Sequence, residues 1–271
     1  MTTISTAAPS WLALRAGADD AARSVGLAAA LAALLPPAPV VLHDLGAGTG
    51  GMTRWLAPRL AGPQQWVLHD GDAGILDQLD LRSAVDDAGR PVAAQTVVAH
   101  LDALHPGVFR GAAGVTASAL LDVITRAEAR RIVAACVDAG TPALFALSVT
   151  GEVELDPPHP ADAVIGRAFN AHQRRKAHGR RLLGPDAAAV VAALFADAGW
   201  QVRREATPWR LGPADAELVL EWLDGWVGAA VAQRPELGAD AAGYLDQRRA
   251  QVADGALSVV VGHEDVLAWP R

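Results

Sequence analysis

Cysteine, lysine and tyrosine occur once each in the 271 residues, as Cys136, Lys176 and Tyr244, and methionine occurs twice. A single cysteine excludes an internal disulfide, and the expected setting is the reducing cytoplasm. A lone tyrosine and a lone lysine, far apart in the chain, exclude the helical Tyr/Lys pair on which short-chain nicotinamide oxidoreductases depend. Long apolar runs are also missing. The longest early one, Leu27 to Leu35, stops at Pro36-Pro37, well short of the roughly 20 residues that span a bilayer. Met1 to Ser10 carries no basic region ahead of an apolar run, so no signal peptide and no membrane association are expected. Net positive charge is lacking too. At −7 the chain is a poor general binder of nucleic acid, which depends on neutralising phosphates. Low-complexity linkers and internal repeats are not found, which predicts a single domain.

What is present is a strongly apolar chain, 51% hydrophobic with a mean hydropathy of +0.20, enough for a full core. Ser10 to Leu35 reads as helix, with Ser10 as N-cap and an apolar face through Leu12, Leu14, Ala18, Ala22, Val25, Leu27, Leu31 and Leu34. Gly17 or Gly26 is the expected break. Strands are predicted at 40–43, 65–69, 94–99, 114–118 and 142–149, with helices at 52–60, 73–81 and 126–138 between them. This alternation predicts a parallel sheet with helices on both faces. Residues 150–159 read as loop, 161–178 and 186–198 as helices and 201–206 as a sixth strand. Helices at 213–232 and 239–253 and a last strand at 257–262 follow. The expected layout is an N-terminal helical lid over 1–38, a cofactor-binding core over 39–150, and helical substrate-side insertions over 151–184 and 212–255.

The most informative stretch is Val40-Val41-Leu42-His43-Asp44-Leu45-Gly46-Ala47-Gly48-Thr49-Gly50-Gly51. A β-branched run leads through an acid into alternating glycines and a helix start. Glycine permits positive φ and close approach of another molecule to the backbone. A strand tip followed by such a turn is a nucleotide-type pocket. Two templates fit. Asp44-x-Gly46-x-Gly48-x-Gly50 is similar to the first motif of class I S-adenosylmethionine-dependent methyltransferases. Gly46-x-Gly48-x-x-Gly51 matches the dinucleotide fingerprint.

Asp44 favours the first template. A carboxylate there can help hold the cationic methionyl amine, directly or through water, whereas it would repel a pyrophosphate. Asp70 ends the second strand, where a carboxylate accepts ribose hydroxyls for either cofactor, and Asp72 is a second candidate. Asp102 follows the third strand and suits the exocyclic adenine amine, with Leu101 and Ala103 against the ring. Ser118 ends the fourth strand. Residues 40 to 150 thus resemble a class I S-adenosylmethionine methyltransferase of small-molecule type. The resemblance places Asp44, Gly46, Ala47, Gly48, Gly50, Asp70, Asp102, Ala103 and Ser118 on the family's cofactor positions. It implies a Rossmann-like seven-stranded, mostly parallel α/β sheet with the last strand antiparallel. It also implies S-adenosyl-L-methionine as cofactor and methyl transfer to a small molecule by in-line displacement.

That reaction needs a nucleophile held about 3–3.5 Å from the methyl carbon and water excluded. A base helps only where the nucleophile carries a proton. His172 and Asp122 are the candidate bases. Trp11, Phe169, Asn170, Gln173 and Trp209 are the candidate acceptor-binding groups. His43, His69 and His100 read as packing, and Trp222 and Trp226 as core. His263-Glu264-Asp265 lacks metal-ligand spacing, as do His172 and His178, so no metal is expected. Arg174, Arg175, Lys176, Arg180 and Arg181 either attract an anionic acceptor or form a solvated helix end. An NAD(P)-dependent oxidoreductase outside the short-chain form and a non-catalytic S-adenosylmethionine-binding protein stay open. A nucleic-acid methyltransferase would need an extended basic surface, or an Asn/Asp-Pro-Pro-Tyr/Phe-type motif where Ser118-Ala119-Leu120-Leu121 stands.

Overall fold

The computed structural model describes residues 8–177 and 179–271. His178, weighed above as a metal ligand, and most of the N-terminal leader stretch lie outside them. Val40–Leu45 (β1) is an inner strand of the sheet and is buried almost throughout, as an inner strand of a parallel sheet must be. It pairs in parallel with Gln64–Asp70 (β2) and Gly114–Ser118 (β4). Ala93–Val98 (β3) lies outside β2, and Ala143–Asp156 (β5) outside β4. A two-residue hairpin, Lys176–Ala177 (β6) and Arg180–Arg181 (β7), stands apart from the sheet. Gln201–Ala206 (β8) and the short Trp209–Leu211 (β9) both pair with the last strand, Ser258–Trp269 (β10), which runs antiparallel to β5, β8 and β9. The order is β3-β2-β1-β4-β5-β10-β8, with β9 beside β10. This is the expected seven-stranded, mostly parallel sheet with an antiparallel final strand, with one extra short strand.

The helices are Pro9–Ala22 (α1), Val25–Leu34 (α2), Gly51–Leu56 (α3), Ala73–Leu76 (α4), Arg126–Ala139 (α5), Asp162–Gln173 (α6), Ala187–Asp197 (α7), Ala216–Gln233 (α8) and Gly238–Ala253 (α9). Among the described residues no helix is long and apolar enough to cross a membrane. The first helical stretch breaks at Arg23-Ser24, not at Gly17 or Gly26. Ser24 Oγ caps α2 by accepting from Leu27 N at 2.9 Å, and Ser24 N donates to Asp265 Oδ2 at 2.9 Å. Pro9, not Ser10, opens α1, since proline suits a first helical turn. The helix expected over 73–81 ends at Leu76. Leu79 and Leu81 instead fold onto Gly50, each with a methyl carbon 2.8 Å from where a Cβ would stand.

The chain runs extended well past two predicted strand ends. β5 continues through the expected loop to Asp156, turning at Gly151 with φ +80. β10 runs seven residues beyond 262 and absorbs two register shifts flanking His263 and Glu264. The polar triplet His263-Glu264-Asp265 hid this strand. Asp265 is buried and accepts from Ser24 N, from Leu147 N at 2.7 Å and from Thr207 Oγ1 at 2.8 Å, so its polarity is satisfied inside the fold.

The helices α6, α8 and α9 pack with β9 into an apolar cluster beside the sheet, through Ile165, Trp209, Trp222, Leu223, Trp226 and Tyr244. Trp11, Leu14, Ala18 and Ala22 of α1 lie against that cluster. Arg248, fully buried, ties α9 to α6 with two 2.7 Å bonds to Asp162, which also accepts from Tyr244 Oη at 2.7 Å. The helical insertions thus form a platform that carries α1.

Candidate cofactor and acceptor site

Strand order reverses between β1 and β4, and the crevice outside the carboxyl ends of an α/β sheet opens at such a point. A cavity of about 520 Å³ lies there, within the usual range for a small-molecule site. Its floor is the turn after β1, where Gly46 (φ +63) and Gly48 (φ +54) take left-handed backbone that other residues adopt only under strain. Ala119, after β4, adopts the same region with φ +51, and its N–H donates to Ala146 O at 2.9 Å. A left-handed non-glycine residue in a cavity wall is the kind of strain that collects at functional sites.

The second wall comes from β2. Asp70 Oδ2 accepts from Gly48 N at 3.0 Å and Oδ1 from Asp72 N at 3.0 Å. Its carboxylate fastens the glycine turn to the tip of β2 and keeps lone pairs for a ligand at the cavity edge. Asp72 also borders the cavity and caps α4, accepting from Gly74 N at 2.8 Å. Ile75, Ala99, His100 and Leu101 complete this end.

The roof is α1. Leu12, Arg15, Ala16, Asp19, Asp20 and Arg23 face the cavity, and their spacing of three and four is one face of a helix. Leu12 lies over the turn, with Cδ1 3.2 Å from where Gly48 would carry a Cβ, and Leu120 Cδ1 stands 2.8 Å from that point on Gly46. Arg15 donates from Nε and Nη2 to Asp19 at 2.9–3.1 Å and lies over the Trp209 ring at 4.8 Å. Asp19 also accepts from Trp209 Nε1 at 3.0 Å. Arg23 donates to Asp20 and to Ser118 Oγ, the latter at 3.1 Å, so it joins the end of α1 to the tip of β4.

Several expected site residues stand elsewhere. Asp44 is fully buried beneath the turn and does not border the cavity. It accepts from Thr116 Oγ1 at 2.8 Å and Thr53 Oγ1 at 3.3 Å, and burial lifts its pKa to about 6. It supports the turn from below, so direct contact with a ligand is corrected. Gly50 packs against Leu79 and Leu81, outside the cavity wall. Asp102 and Ala103 are exposed, because a single 3-10 turn after β3 points them outward and leaves His100 and Leu101 in the wall. Gly46, Ala47, Gly48, Asp70 and Ser118 do line the cavity.

His172 is displaced further. It sits in the last turn of α6, away from the cavity, with Nδ1 2.9 Å from Arg175 Nη1. Burial and that guanidinium lower its pKa. Phe169, Asn170 and Gln173 also lie off the cavity: Phe169 packs into the helical platform, and Asn170 Nδ2 donates to Gly151 O at 2.8 Å. Trp11, on the face of α1 turned from the cavity, and Trp209 of β9 have their rings 6.4 Å apart and meet the cavity-facing residues Arg15 and Asp19 without bordering the cavity themselves. Two members of the basic cluster form local ion pairs, Arg174 with Asp186 and Arg180 with Glu128, each at 2.7 Å, and none of the cluster borders the cavity. Asp122 lies in the 3-10 turn Leu121–Val123; its chain neighbours Leu120 and Val123 border the cavity, and Asp122 itself lies just behind that wall. It is half-buried and, among the described residues, its side chain bonds to no other residue. Burial raises its pKa to about 6 against the opposing charge of Arg15.

Sequence reasoning missed the charged stripe of α1. Its period was visible, but only the apolar face was followed. It also set His69 aside as packing. His69 does pack on His43, Nε2 to Nδ1 at 2.9 Å, yet it also borders the cavity, and burial pushes both rings toward the neutral form. Among the described residues no three His, Cys, Asp or Glu side chains gather as metal ligands would.

The buried Asp44 gives a testable pH dependence. Its folded pKa, near 6, lies above the ordinary 3.8. The folded state therefore holds the extra proton between those values, and stability falls as pH rises through them. At about 1.4 kcal/mol per pH unit, Asp44→Asn, which has no proton to lose, should gain on the wild type by on the order of 2–3 kcal/mol between pH 4 and pH 7.5. Urea unfolding at the two pH values measures this. An unchanged difference would show that Asp44 carries its charge in the folded chain without cost.

No protein-family model matches the chain, and no curated protein matches it in sequence. Solved structures resemble it loosely. A SAM-dependent methyltransferase from Geobacter sulfurreducens in complex with S-adenosyl-L-homocysteine aligns over 97% of this chain and 99% of its own, at 15% identity and TM-score 0.45. A cyclopropane synthase from Mycobacterium tuberculosis aligns over 89% and 81%, at 14% identity and TM-score 0.45. A phosphoethanolamine N-methyltransferase from Haemonchus contortus aligns over 92% and 53%, at 13% identity and TM-score 0.43. At such scores the likeness is one of general shape, and the chemistry of the cavity has to carry any reading of function.

Proposed function

We propose that the chain is an S-adenosylmethionine-dependent methyltransferase acting on a small-molecule acceptor. The observation that carries this reading is the covering of the glycine turn. In a dinucleotide site the second glycine of the fingerprint is bare so that the pyrophosphate can lie on its backbone. Here Leu12 closes over Gly48, and the buried acid Asp44 stands beneath the same turn. An apolar lid and an underlying carboxyl suit a cationic, sulfur-centred ligand better than a pyrophosphate.

The residues present fit that cofactor. Asp70, and Asp72 beside it, would accept the ribose hydroxyls. Ile75 and Leu101 would flank the adenine. Gly46 to Gly48 would lie under the amino-acid chain. S-adenosylmethionine supplies, when bound, a methyl group on a sulfonium, ready for in-line displacement.

The chain's own contribution is position, dryness and one proton acceptor. Leu12, Ala16, Leu120 and Val123 form an apolar wall that excludes water from the acceptor end. Asp122, poised near pH 6 by burial, takes the acceptor's proton at a carboxylate oxygen. Arg15, held by Asp19 against Trp209, limits the rise of the Asp122 pKa. The helical insertions act on the acceptor through α1, which they carry, and not by lining its pocket. A small acceptor follows from a roofed cavity that must hold both molecules.

The test is release of S-adenosylhomocysteine, followed by mass spectrometry over a panel of small hydroxy-, amino- and carboxy-compounds. Release that depends on an added acceptor supports the reading. Tight S-adenosylmethionine binding with no release across the panel favours a non-catalytic binding protein.

A further inference from the structure

The two edges of the sheet are built differently. β8, at one edge, carries Arg203, Arg204 and Glu205, and these pair as Arg203 with Glu205 and Arg204 with Glu264. Charged side chains on an edge strand keep its free N–H and C=O groups from pairing with another chain. β3, at the other edge, is Ala93-Ala94-Gln95-Thr96-Val97-Val98. It has no charge and no proline, and its pairing with β2 has no register shift. Ala93, Ala94, Gln95 and Thr96 are all exposed, so both faces of the strand are open, since successive side chains alternate. Val98 is 59% exposed. The cause lies in the crossovers. Helices ordinarily cover both faces of a parallel sheet, but the crossover into β3 holds only the one-turn α4, and the crossover out of it only the 3-10 turn Leu101–Ala103.

This bare strand matches itself. A two-fold axis perpendicular to the sheet and beside Thr96 sets two copies antiparallel and keeps each side chain on its own face. Thr96 then stands opposite its counterpart, a favourable cross-strand pair, and Ala94 stands opposite Val98, small against large. The ends carry opposite charge. Arg90, just before β3, gives Nε to Asp86 and Nη2 to Gly62 O, which leaves Nη1 for another partner. Asp102, just after β3, is exposed and among the described residues forms no ion pair. Both lie six positions from Thr96, so the axis brings the Arg90 end of one copy to the Asp102 end of the other.

We propose that β3 is the contact strand of a symmetric homodimer, in which two sheets join edge to edge through antiparallel β3 strands centred on Thr96. One sheet then runs through both subunits, and the same patch serves on each, as a closed two-fold contact requires. A foreign strand would satisfy the backbone of β3 equally. A second copy also sets Arg90 against Asp102 at both ends, and this favours it as the occupant.

Sedimentation equilibrium and cross-linking of the full chain test this. The wild type should approach twice the 28.0 kDa of the chain as its concentration rises. Thr96→Lys sets two ammonium groups face to face on the axis and should weaken the dimer by about 100-fold, as like charges opposed across an interface do. Asp102→Arg, opposite Arg90, should weaken it by about 10-fold on the same ground. Both positions are exposed, and an unaltered circular-dichroism spectrum separates these effects from loss of fold. Thr96→Cys should give a disulfide-linked dimer on mild oxidation, because opposed antiparallel residues stand about 4.5–5.5 Å apart at Cα, within reach of a disulfide. The native Cys136 is buried and takes no part. Val25→Cys, on the exposed side of α2, should not cross-link. A wild type that is monomeric at every concentration, a dimer indifferent to Thr96→Lys, or cross-linking through Val25→Cys and not through Thr96→Cys overturns the proposal.

Discussion

Asp70→Ala should weaken binding of S-adenosylhomocysteine by roughly 100-fold, measured by calorimetry at neutral pH. Two losses add. The ligand loses a charged acceptor for its ribose, worth about 1.5–3 kcal/mol for a charge-assisted bond. The glycine turn loses its tether, because Asp70 Oδ2 holds Gly48 N and Oδ1 holds Asp72 N. Asp70→Asn separates the two, since its amide oxygen preserves one backbone bond while the charge is gone. An affinity between those of wild type and Asp70→Ala is expected. Unchanged affinity in Asp70→Ala would remove the ribose assignment and, with it, the orientation of the ligand in the cavity.

Asp122→Asn should lower turnover by about 10²–10⁴-fold, the usual contribution of a positioned base, with S-adenosylhomocysteine affinity retained. The pH profile carries the sharper signature. The base works only when deprotonated, and its pKa is held near 6. Wild-type turnover should therefore rise as pH increases through about 6 and then level. The variant should lose that limb. A wild-type rate flat from pH 5 to 8 would mean that the acceptor needs no base, and Asp122 would then have no part in the reaction. His172 serves as the contrast, because His172→Ala should leave turnover intact, given its place beside Arg175 on the far side of α6.

The parts legible in the sequence were those in which local chemistry and fold agree. The apolar run 40–45, the glycine alternation and Asp70 at a strand tip announce a strand, a turn and a binding edge whatever surrounds them. So do Thr125 and Glu128, which form a capping box at the start of α5. Position relative to the cavity was less legible, because it depends on contacts distant in sequence. Asp102 sits where an adenine partner is expected, but the short turn Leu101–Ala103 rotates it outward. His172 shares a helix face with Phe169 and Gln173, yet Phe169 packs into the helical platform, Gln173 lies against Gly184, and none of the three borders the cavity. Asp265 stands out in the sequence only as part of a triplet without metal-ligand spacing, and is a buried acceptor for three groups from three separate segments. The charged stripe of α1 is the clearest case. Its 3–4 spacing was present in the sequence, but only tertiary packing shows that Trp11, Leu14 and Ala18 are anchored on one side. That anchoring leaves Arg15, Asp19 and Arg23 to face the cavity on the other.

The central claim is that the cavity over the glycine turn takes an adenosyl amino acid and not a dinucleotide. Equilibrium titration of the wild-type protein with S-adenosylhomocysteine, NAD and NADP, each monitored by thermal shift and calorimetry, tests it most directly. S-adenosylhomocysteine should bind and raise the melting temperature, with NAD and NADP giving no shift at the same concentrations, because Leu12 occupies the approach to Gly48. Stabilisation by NAD or NADP alone would contradict the account.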